Sequence, residues 1–513
     1  MAPKLALVIP MIVRGGPRGA TRASIPHLGV GYIAGNLPDS LAECRVFDCQ
    51  ADGLSEDVLL QRLFEFDPDV VAFTAYTQSI KMVARISAAL KSRKPDTLTV
   101  VGGTHVSALP VETIESFPAL DAAVTFEGER AFSDLLGAFR EGGPGTDFTR
   151  IPGVCARHDG TVRMGPKRPP IEDLDSVSFP AWDLLDLDRY SGVYHMLDRA
   201  RRAVPLTTGR GCSFHCSFCF RVSGPTQRLR SIPNVMEELR RDINESGVRE
   251  VVILNESFLA DHEHALSFCD AVIREGLHRR FLWSCQSRVD QVSPQVLKMI
   301  RLAGCRSISM GIESGDPAVL DRIRKRATLE QGIEAVRMAR EAGLRTDTNF
   351  ILGLPGDTRE SISRTIDHAL RVDADMAGFA RLTPFPGTDI AGMAKRGEGG
   401  LRILSTDFDD CDKHAGTAMD LVNVPNEELD RLQRSAYFRF YRRPKRWMSA
   451  LRMASLSVLA RTLLLVVASG LRSLFHRRLF GRRSGRQWRL PSPGALPSSR
   501  VVPSGTGRVR ARH

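Results

Sequence analysis

Thr208-Gly209-Arg210-Gly211-Cys212-Ser213-Phe214-His215-Cys216-Ser217-Phe218-Cys219-Phe220 carries three cysteines at Cys-x3-Cys-x2-Cys spacing. Thiolates this close in sequence fit on one tight loop, where they can ligate three irons of a cubane iron–sulfur cluster. The usual cluster takes four thiolates. Three leave one iron open to a small molecule that offers an amine and a carboxylate, as S-adenosylmethionine (SAM) does. Gly209 and Gly211 let the backbone approach closely and turn sharply. Two other readings stand beside this one: a zinc site with His215 as a fourth ligand, or three buried thiols. The downstream chain weighs for the cluster.

The loop resembles the signature of the radical SAM superfamily, with Phe218 as the aromatic residue before the last cysteine. Gly311-Ile312-Glu313-Ser314-Gly315, Ile351-Leu352-Gly353-Leu354-Pro355-Gly356-Asp357-Thr358 and Thr383-Pro384-Phe385-Pro386-Gly387-Thr388 resemble its cobalamin-binding branch. That branch includes cobalamin-dependent radical SAM methyltransferases and the anaerobic magnesium-protoporphyrin monomethyl ester cyclase. The likeness runs from about residue 4 to about residue 445. It implies a [4Fe-4S] cluster on Cys212, Cys216 and Cys219, with SAM and cobalamin as the other cofactors. Reduction of SAM would yield a 5′-deoxyadenosyl radical able to take hydrogen from an unactivated carbon, and methylcobalamin would then supply a methyl group. The implied activity is C-methylation of a specialised metabolite or lipid. The same cofactors also serve oxidative cyclisation or ring rearrangement, and a non-catalytic iron–sulfur or zinc protein is the rival from another class. An RNA methylthiotransferase is disfavoured, because residues 1–140 hold only Cys44 and Cys49.

A chain of 513 residues suggests two or three domains. Ten cysteines without a pairing pattern, and no amino-terminal signal segment, point to a reducing cytoplasm. Cys44, Cys49, Cys155, Cys269, Cys285, Cys305 and Cys411 read as small packing residues. The net charge of +12 is concentrated: 18 of the 71 Arg and Lys lie between Arg439 and His513, a segment with no Asp or Glu. The remainder is mildly acidic, so the body of the chain gives no electrostatic argument for nucleic acid. A small-molecule or lipid substrate and an electron donor such as flavodoxin or ferredoxin are the expected partners.

Residues 1–140 alternate apolar strands with helical patterns, which predicts an α/β fold with a parallel sheet. Strands are expected at Leu5–Pro10, Arg45–Asp48, Val70–Thr74, Leu98–Val101 and Ala122–Phe126, with helices around Leu28–Leu37, Ser55–Phe66, Ile80–Ser92 and Ala131–Phe139. Five strands fit a flavodoxin-like doubly wound domain, whose ligands sit beyond the carboxyl ends of the strands. By resemblance this is the cobalamin-binding domain. Thr77, Gly102, Gly103, Thr104, Glu127 and Gly128 are then the candidate cobalamin contacts, with His105 a lining or turn residue. Many such domains carry an Asp-x-His-x-x-Gly loop whose His ligates cobalt. Here the loop after the first strand reads Met11-Ile12-Val13-Arg14-Gly15-Gly16, and that motif is absent from residues 1–140. Cobalt is therefore expected to lack a protein His ligand.

Residues 141–200 read as a connector with a small hairpin around Ile151–Val162. From 201 to 400, strands fit Val204–Thr207, Val251–Leu254, Phe281–Cys285, Ser307–Gly311, Asp347–Leu352 and Gly378–Leu382. Six βα units predict a partial (β/α)6 barrel rather than the closed eight-stranded form. The candidate site residues fall at or just after strand carboxyl ends. By resemblance Phe218 packs near the SAM adenine and Glu313 contacts SAM, Glu256 pairs with the SAM ammonium or a substrate hydroxyl, and Gln286 and Arg288 lie in the SAM pocket. Arg288 is placed to fork onto the SAM carboxylate, and Leu354 to wall the adenine. A surface turn at Glu256 and a plain Arg288–Asp290 pair are the bland rivals.

Residues 401–445 read as a helical closing region, with a helix over Leu432–Arg443. Beyond it lies a basic tail, 446–513. Its longest uncharged stretch, Thr462–Leu471, is far short of the ~20 residues needed to span a bilayer. A basic amphipathic helix making peripheral membrane contact, or a helix packed on the barrel, is followed in either case by a disordered end.

The cysteine spacing makes a direct prediction. Cys216→Ala should abolish reductive SAM cleavage, while Cys269→Ala and Cys305→Ala should retain it, as read by chromatography of 5′-deoxyadenosine. Normal output from Cys216→Ala would overturn the cluster assignment.

Overall fold

Leu5-Ala6-Leu7-Val8-Ile9 is buried throughout because both of its faces are covered. Ala6 and Val8 join one apolar cluster with Phe47, Phe73 and Ile86. Leu5, Leu7 and Ile9 join another with Val100 and Leu135. A parallel sheet with helices on both sides requires such continuous apolar strands. In the computed structural model this run is β1 (Lys4–Ile9), followed by β2 (Glu43–Asp48), β3 (Val70–Thr74), β4 (Leu98–Gly102) and β5 (Ala122–Val124). The described residues are 2–11, 25–38, 40–190, 202–414 and 416–443. The five strands are parallel in the order β2-β1-β3-β4-β5, the flavodoxin-like order.

The hairpin expected in the connector extends this sheet. β6 (Val154–His158) and β7 (Thr161–Met164) add antiparallel after β5, which makes seven strands. The last predicted strand of the domain is shorter than expected: β5 stops at Val124, and Phe126 turns out at φ 57° and is exposed. The helix Leu28–Gly35 presents glycines to the segment after the hairpin. A Cβ on Gly31 would lie 2.6 Å from the Trp182 ring, and one on Gly35 would lie 2.0 Å from the Phe179 carbonyl oxygen. Only a bare backbone fits there.

The second sheet comprises β8 (Ala203–Leu206), β11 (Glu250–Ile253), β12 (Leu282–Arg288), β13 (Cys305–Glu313), β14 (Arg345–Leu352) and β15 (Met376–Arg381). Between β8 and β11 lies a two-rung ladder of β9 (Gly209–Arg210) and β10 (Arg228–Leu229). All six strands are parallel, in the order β8-β11-β12-β13-β14-β15. This is the open (β/α)6 arrangement. On its outer side Phe258, Phe268 and Trp283 meet edge to face, with centroids 5.6–5.9 Å apart.

The free edge at β15 is covered by the helix Asn426–Tyr441. The Tyr437 hydroxyl accepts from the Phe379 N–H at 3.2 Å, and the Tyr441 hydroxyl accepts from the Ala377 N–H at 3.2 Å. Gln433 donates to the Phe379 carbonyl at 2.8 Å. Side chains thus satisfy backbone groups that a further strand would otherwise pair. Before this helix, β16 (Leu401–Ile403) and β17 (Met419–Leu421) form a small antiparallel ladder. No described helix is long and apolar enough to cross a membrane. The tail readings for 446–513 lie outside the described residues.

Phe268 is fully buried among its aromatic partners. Phe268→Ala should lower unfolding free energy by about 3–5 kcal/mol, measured by denaturant titration. A loss below about 1 kcal/mol would show that this trio does not anchor the barrel.

Candidate functional site

The loop between β9 and β10 holds the three cysteines, all of them free thiols. Gly211 starts it at φ 96°, and a Cβ there would sit 2.0 Å from the Thr226 carbonyl oxygen, so only glycine fits. Cys212 N–H donates to Gly224 O at 3.2 Å, and Cys219 N–H donates to Cys216 O at 3.1 Å. Ser217 fastens the loop to the barrel on both sides: its N–H donates to Ile323 O at 3.0 Å, and its carbonyl accepts from Ile390 N–H at 3.1 Å.

Desolvation by the surrounding chain, and after it the charges of Cys216 and Cys212, push the Cys219 thiol up to about 11. The three thiols thus feel one another's charge on this one loop, where cationic iron would relieve the repulsion between their thiolates. Among the described residues no group of three or more His, Cys, Asp or Glu converges on one ion-sized point. His215 points to solvent. The Cys-x3-Cys-x2-Cys spacing and the exposure of His215 speak for a cluster rather than a single zinc.

Several predicted SAM-side residues gather at the same mouth. Glu256 is exposed and accepts from the Gly211 N–H at 3.2 Å. Gln286 donates to Asn255 O at 2.8 Å, and the Asn255 side chain braces Thr208 N–H and Oγ1, each at 2.9 Å. Glu313 ends β13 on a bulge at φ 72°, a strained conformation for a residue with a Cβ. Its carboxylate is held by Lys325 Nζ at 2.9 Å, and both groups are buried. Phe218 is half-buried against the barrel core. Leu354 is fully buried, and Asp357 accepts its N–H at 2.9 Å and that of Gly353 at 3.1 Å.

Arg288 departs from its expected role. Its fork is filled by Asp290 at 2.8 and 2.9 Å, and it donates to Lys325 O at 2.6 Å. Its guanidinium lies 3.8 Å from the centroid of the Phe214 ring and 3.6 Å from Cys216 Sγ. It is placed as a brace on the cluster loop rather than as an open fork for a carboxylate.

At the carboxyl edge of the first sheet, Gly103 adopts φ 104°, and a Cβ there would press on Ala75 N and O at 2.9 and 2.6 Å. It is required by strand packing itself. Gly102 has room, since the nearest atom to an added Cβ is 3.7 Å away. Thr104 begins the short helix that follows. Thr77 is turned inward, 3.2 Å from His105 Nδ1, and Phe408 packs edge-on against the His105 ring at 4.7 Å. His105 Nε2 is buried and finds no partner among the described residues. Gly128 starts a helix that packs closely on Ile33.

His27, which sequence reasoning did not single out, caps the helix Leu28–Gly35 at this edge. Its Nδ1 accepts the Val30 N–H at 3.2 Å, and burial lowers its pKa to about 4. The neutral ring then carries its proton on Nε2, which faces Thr74 Oγ1 and Tyr76 OH at 3.4 Å each. Neither nitrogen has a lone pair to spare for a metal.

Glu127 also differs from the expectation of a cofactor contact. It is gripped by Arg228 at 2.8 and 3.0 Å, by Arg210 at 3.3 Å and by Ile171 N–H at 2.7 Å. Glu129 takes Arg210 at 2.6 Å. These two carboxylates belong to the first domain, and the two arginines bracket the cysteine loop. No sequence signal could have paired residues some hundred positions apart.

The radical SAM superfamily profile matches residues 206–369 and the B12 binding domain profile matches 18–136. An uncharacterized methyltransferase of Pyrococcus horikoshii is 32% identical over 82% of this chain and 88% of its own length. The anaerobic magnesium-protoporphyrin IX monomethyl ester cyclase of Rubrivivax gelatinosus is 31% identical over 71% of this chain, which spans 65% of that protein. Among solved structures, the radical SAM methyltransferase TsrM of Kitasatospora setae, with cobalamin and a [4Fe-4S] cluster bound, superposes with a TM-score of 0.65. The match covers 85% of this chain and 89% of that one at 19% identity.

The residues present fit these cofactors: three free thiols on one glycine-shaped loop, an open glycine edge at Gly102 and a buried nitrogen on His105 with no partner among the described residues. With cobalamin loaded, the Co(II) paramagnetic resonance spectrum should show no nitrogen splitting that depends on His27. Splitting that disappears in His27→Ala would overturn the tautomer argument.

Proposed function

The chain belongs to the cobalamin-binding radical SAM enzymes, and on that footing we propose that it transfers a methyl group to a carbon atom of a small molecule. The observation that carries this reading is the match to the Pyrococcus methyltransferase, which runs through both domains. When bound, the cluster and SAM supply one-electron cleavage of a carbon–sulfur bond, and cobalamin supplies the methyl group.

The chain's own residues bind and position. Cys212, Cys216 and Cys219 hold the cluster, and Arg288 braces their loop from the barrel side. Glu256 and Glu313 offer carboxylates to the SAM ammonium, with Gln286 beside them, Phe218 near the adenine and Leu354 as an apolar wall. On the facing domain, Gly102, Gly103, Thr104 and Gly128 line the cobalamin edge, and Thr77 stands behind it on His105. Glu127 and Glu129 fix that edge against the cluster loop. Reducing equivalents come from a small donor such as flavodoxin or ferredoxin. Peripheral membrane contact would fall to the basic tail.

Oxidative cyclisation is a second reading, favoured by the 31% identity to the protoporphyrin ester cyclase. SAM carrying a deuterated methyl group separates the two. Anaerobically reconstituted protein with reductant should place the label on cobalamin and then on product, read by mass spectrometry. Release of 5′-deoxyadenosine with no label on cobalamin would favour cyclisation. Absence of both would end the radical SAM reading of function.

A further inference from the structure

Five arginines stand at the amino ends of the barrel strands, the pole opposite the cysteine loop. Arg249 precedes β11, and Arg279 and Arg280 precede β12. Arg301 stands in the last turn of the helix Pro294–Leu302, and Arg306 is the second residue of β13. These segments touch one another. The Arg249 carbonyl accepts from the Leu282 N–H at 3.0 Å, and a Cβ on Gly304 would lie 3.4 Å from the carbonyl oxygens of His278 and Phe281. Burial lowers the Arg306 pKa below its ordinary value, and the charge of Arg301 beside it lowers it further.

Exposed arginines elsewhere on the barrel helices meet carboxylates. Arg240 meets Glu275, Arg274 meets Asp270, and Arg337 meets Glu334 and Glu341. The five at the pole have no carboxylate partner among the described residues. Arg249, Arg301 and Arg306 donate to backbone carbonyls, and Arg279 and Arg280 are exposed. These charges do not serve the reaction mouth. Arg306 and Glu313 are separated by roughly 23 Å along β13, well beyond the roughly 10 Å over which exposed charges act in physiological salt.

Apolar side chains are exposed among these arginines. Leu302, next to Arg301, is 57% exposed. With Leu266 and Met299 it lines a surface groove of about 500 Å³ between the helices His262–Arg274 and Pro294–Leu302. The helix Asn426–Tyr441 runs opposite to β15, because Tyr437 bonds Phe379 and Tyr441 bonds Ala377, so it ends at this same pole. Its last turn carries Phe438, 67% exposed, with the Arg442 guanidinium 5.8 Å from the ring centroid. Arg443 donates to Leu370 O at 3.0 Å, and the sequence after it holds no Asp or Glu.

We propose that the amino pole of the barrel docks on an anionic lipid membrane. Guanidinium forks match lipid phosphates, while Leu302 and Phe438 enter the boundary between headgroups and acyl chains. A nucleic acid would use the arginines but leave both apolar side chains in water. Docked in this way, the barrel mouth faces away from the bilayer.

The test is flotation of the full-length protein with vesicles of phosphatidylglycerol and phosphatidylcholine in equal parts. Wild type should float at low salt, and it should stay behind at high salt or with phosphatidylcholine alone. Arg279→Ser combined with Arg280→Ser should weaken vesicle binding about twentyfold, at roughly fivefold per arginine. Leu302→Ser should weaken it about fivefold. Arg274→Ser, whose arginine is already held by Asp270, should float like wild type. Full-length protein that ignores anionic vesicles at low salt would overturn the proposal. So would flotation that the arginine and leucine variants leave unchanged, which would assign membrane contact to the tail alone. Binding of polyuridine RNA that Arg279 and Arg280 control, with no flotation, would put nucleic acid in place of lipid.

Discussion

Four charged side chains at the junction of the two sheets set the geometry on which the site depends. Glu127, Glu129, Arg210 and Arg228 are each no more than 13% exposed. Burial works to raise the Glu127 pKa, but hydrogen bonds from Arg228 and Ile171 hold it below the ordinary value, so the group stays ionised. A buried pair of this kind adds little net stability, yet removing one partner leaves an uncompensated charge in a poorly solvated place. Its effect is therefore on position. Arg210 immediately precedes the cysteine loop and Arg228 immediately follows it, so both ends of the loop are referenced to the facing domain.

The barrel solves a related problem differently. Six strands leave an edge, and an edge of unpaired backbone groups attracts other strands. The helix Asn426–Tyr441 meets this edge with two tyrosine hydroxyls and a glutamine, which bond Ala377 and Phe379. Because closure is made by side chains outside the sheet, the strands need not curl into a tight ring.

The architecture was legible in the sequence because strand alternation, apolar runs and glycine turns are local signals. The cysteine loop was legible for the same reason, as was the placement of Glu313 at a strand end, whereas Gln286, expected just after a strand, lies within β12, which runs on to Arg288. What could not be read was partnership across the fold. Glu127 looked like a ligand contact because its arginines lie far along the chain. For Arg288 the pair with Asp290 was legible as a rival reading and is the one found, but the Phe214 ring and the Lys325 carbonyl that also hold it come from other loops. His27 gave no signal, since its role depends on capping one helix while facing Tyr76.

The backbone bonds on either side of Ser217 bear on how the protein matures. Ile323 and Ile390 grip the middle of the cysteine loop through main-chain groups that do not involve sulfur. Gly211 and Gly224 shape its shoulders in the same way. In zinc fingers the metal supplies the folding energy and the bare peptide is unstructured. Here the polypeptide can set the loop before any iron arrives. Assembly would then run in two separable stages, chain collapse first and inorganic insertion second. Oxygen that destroyed the cluster would leave behind an intact vessel ready to be refilled.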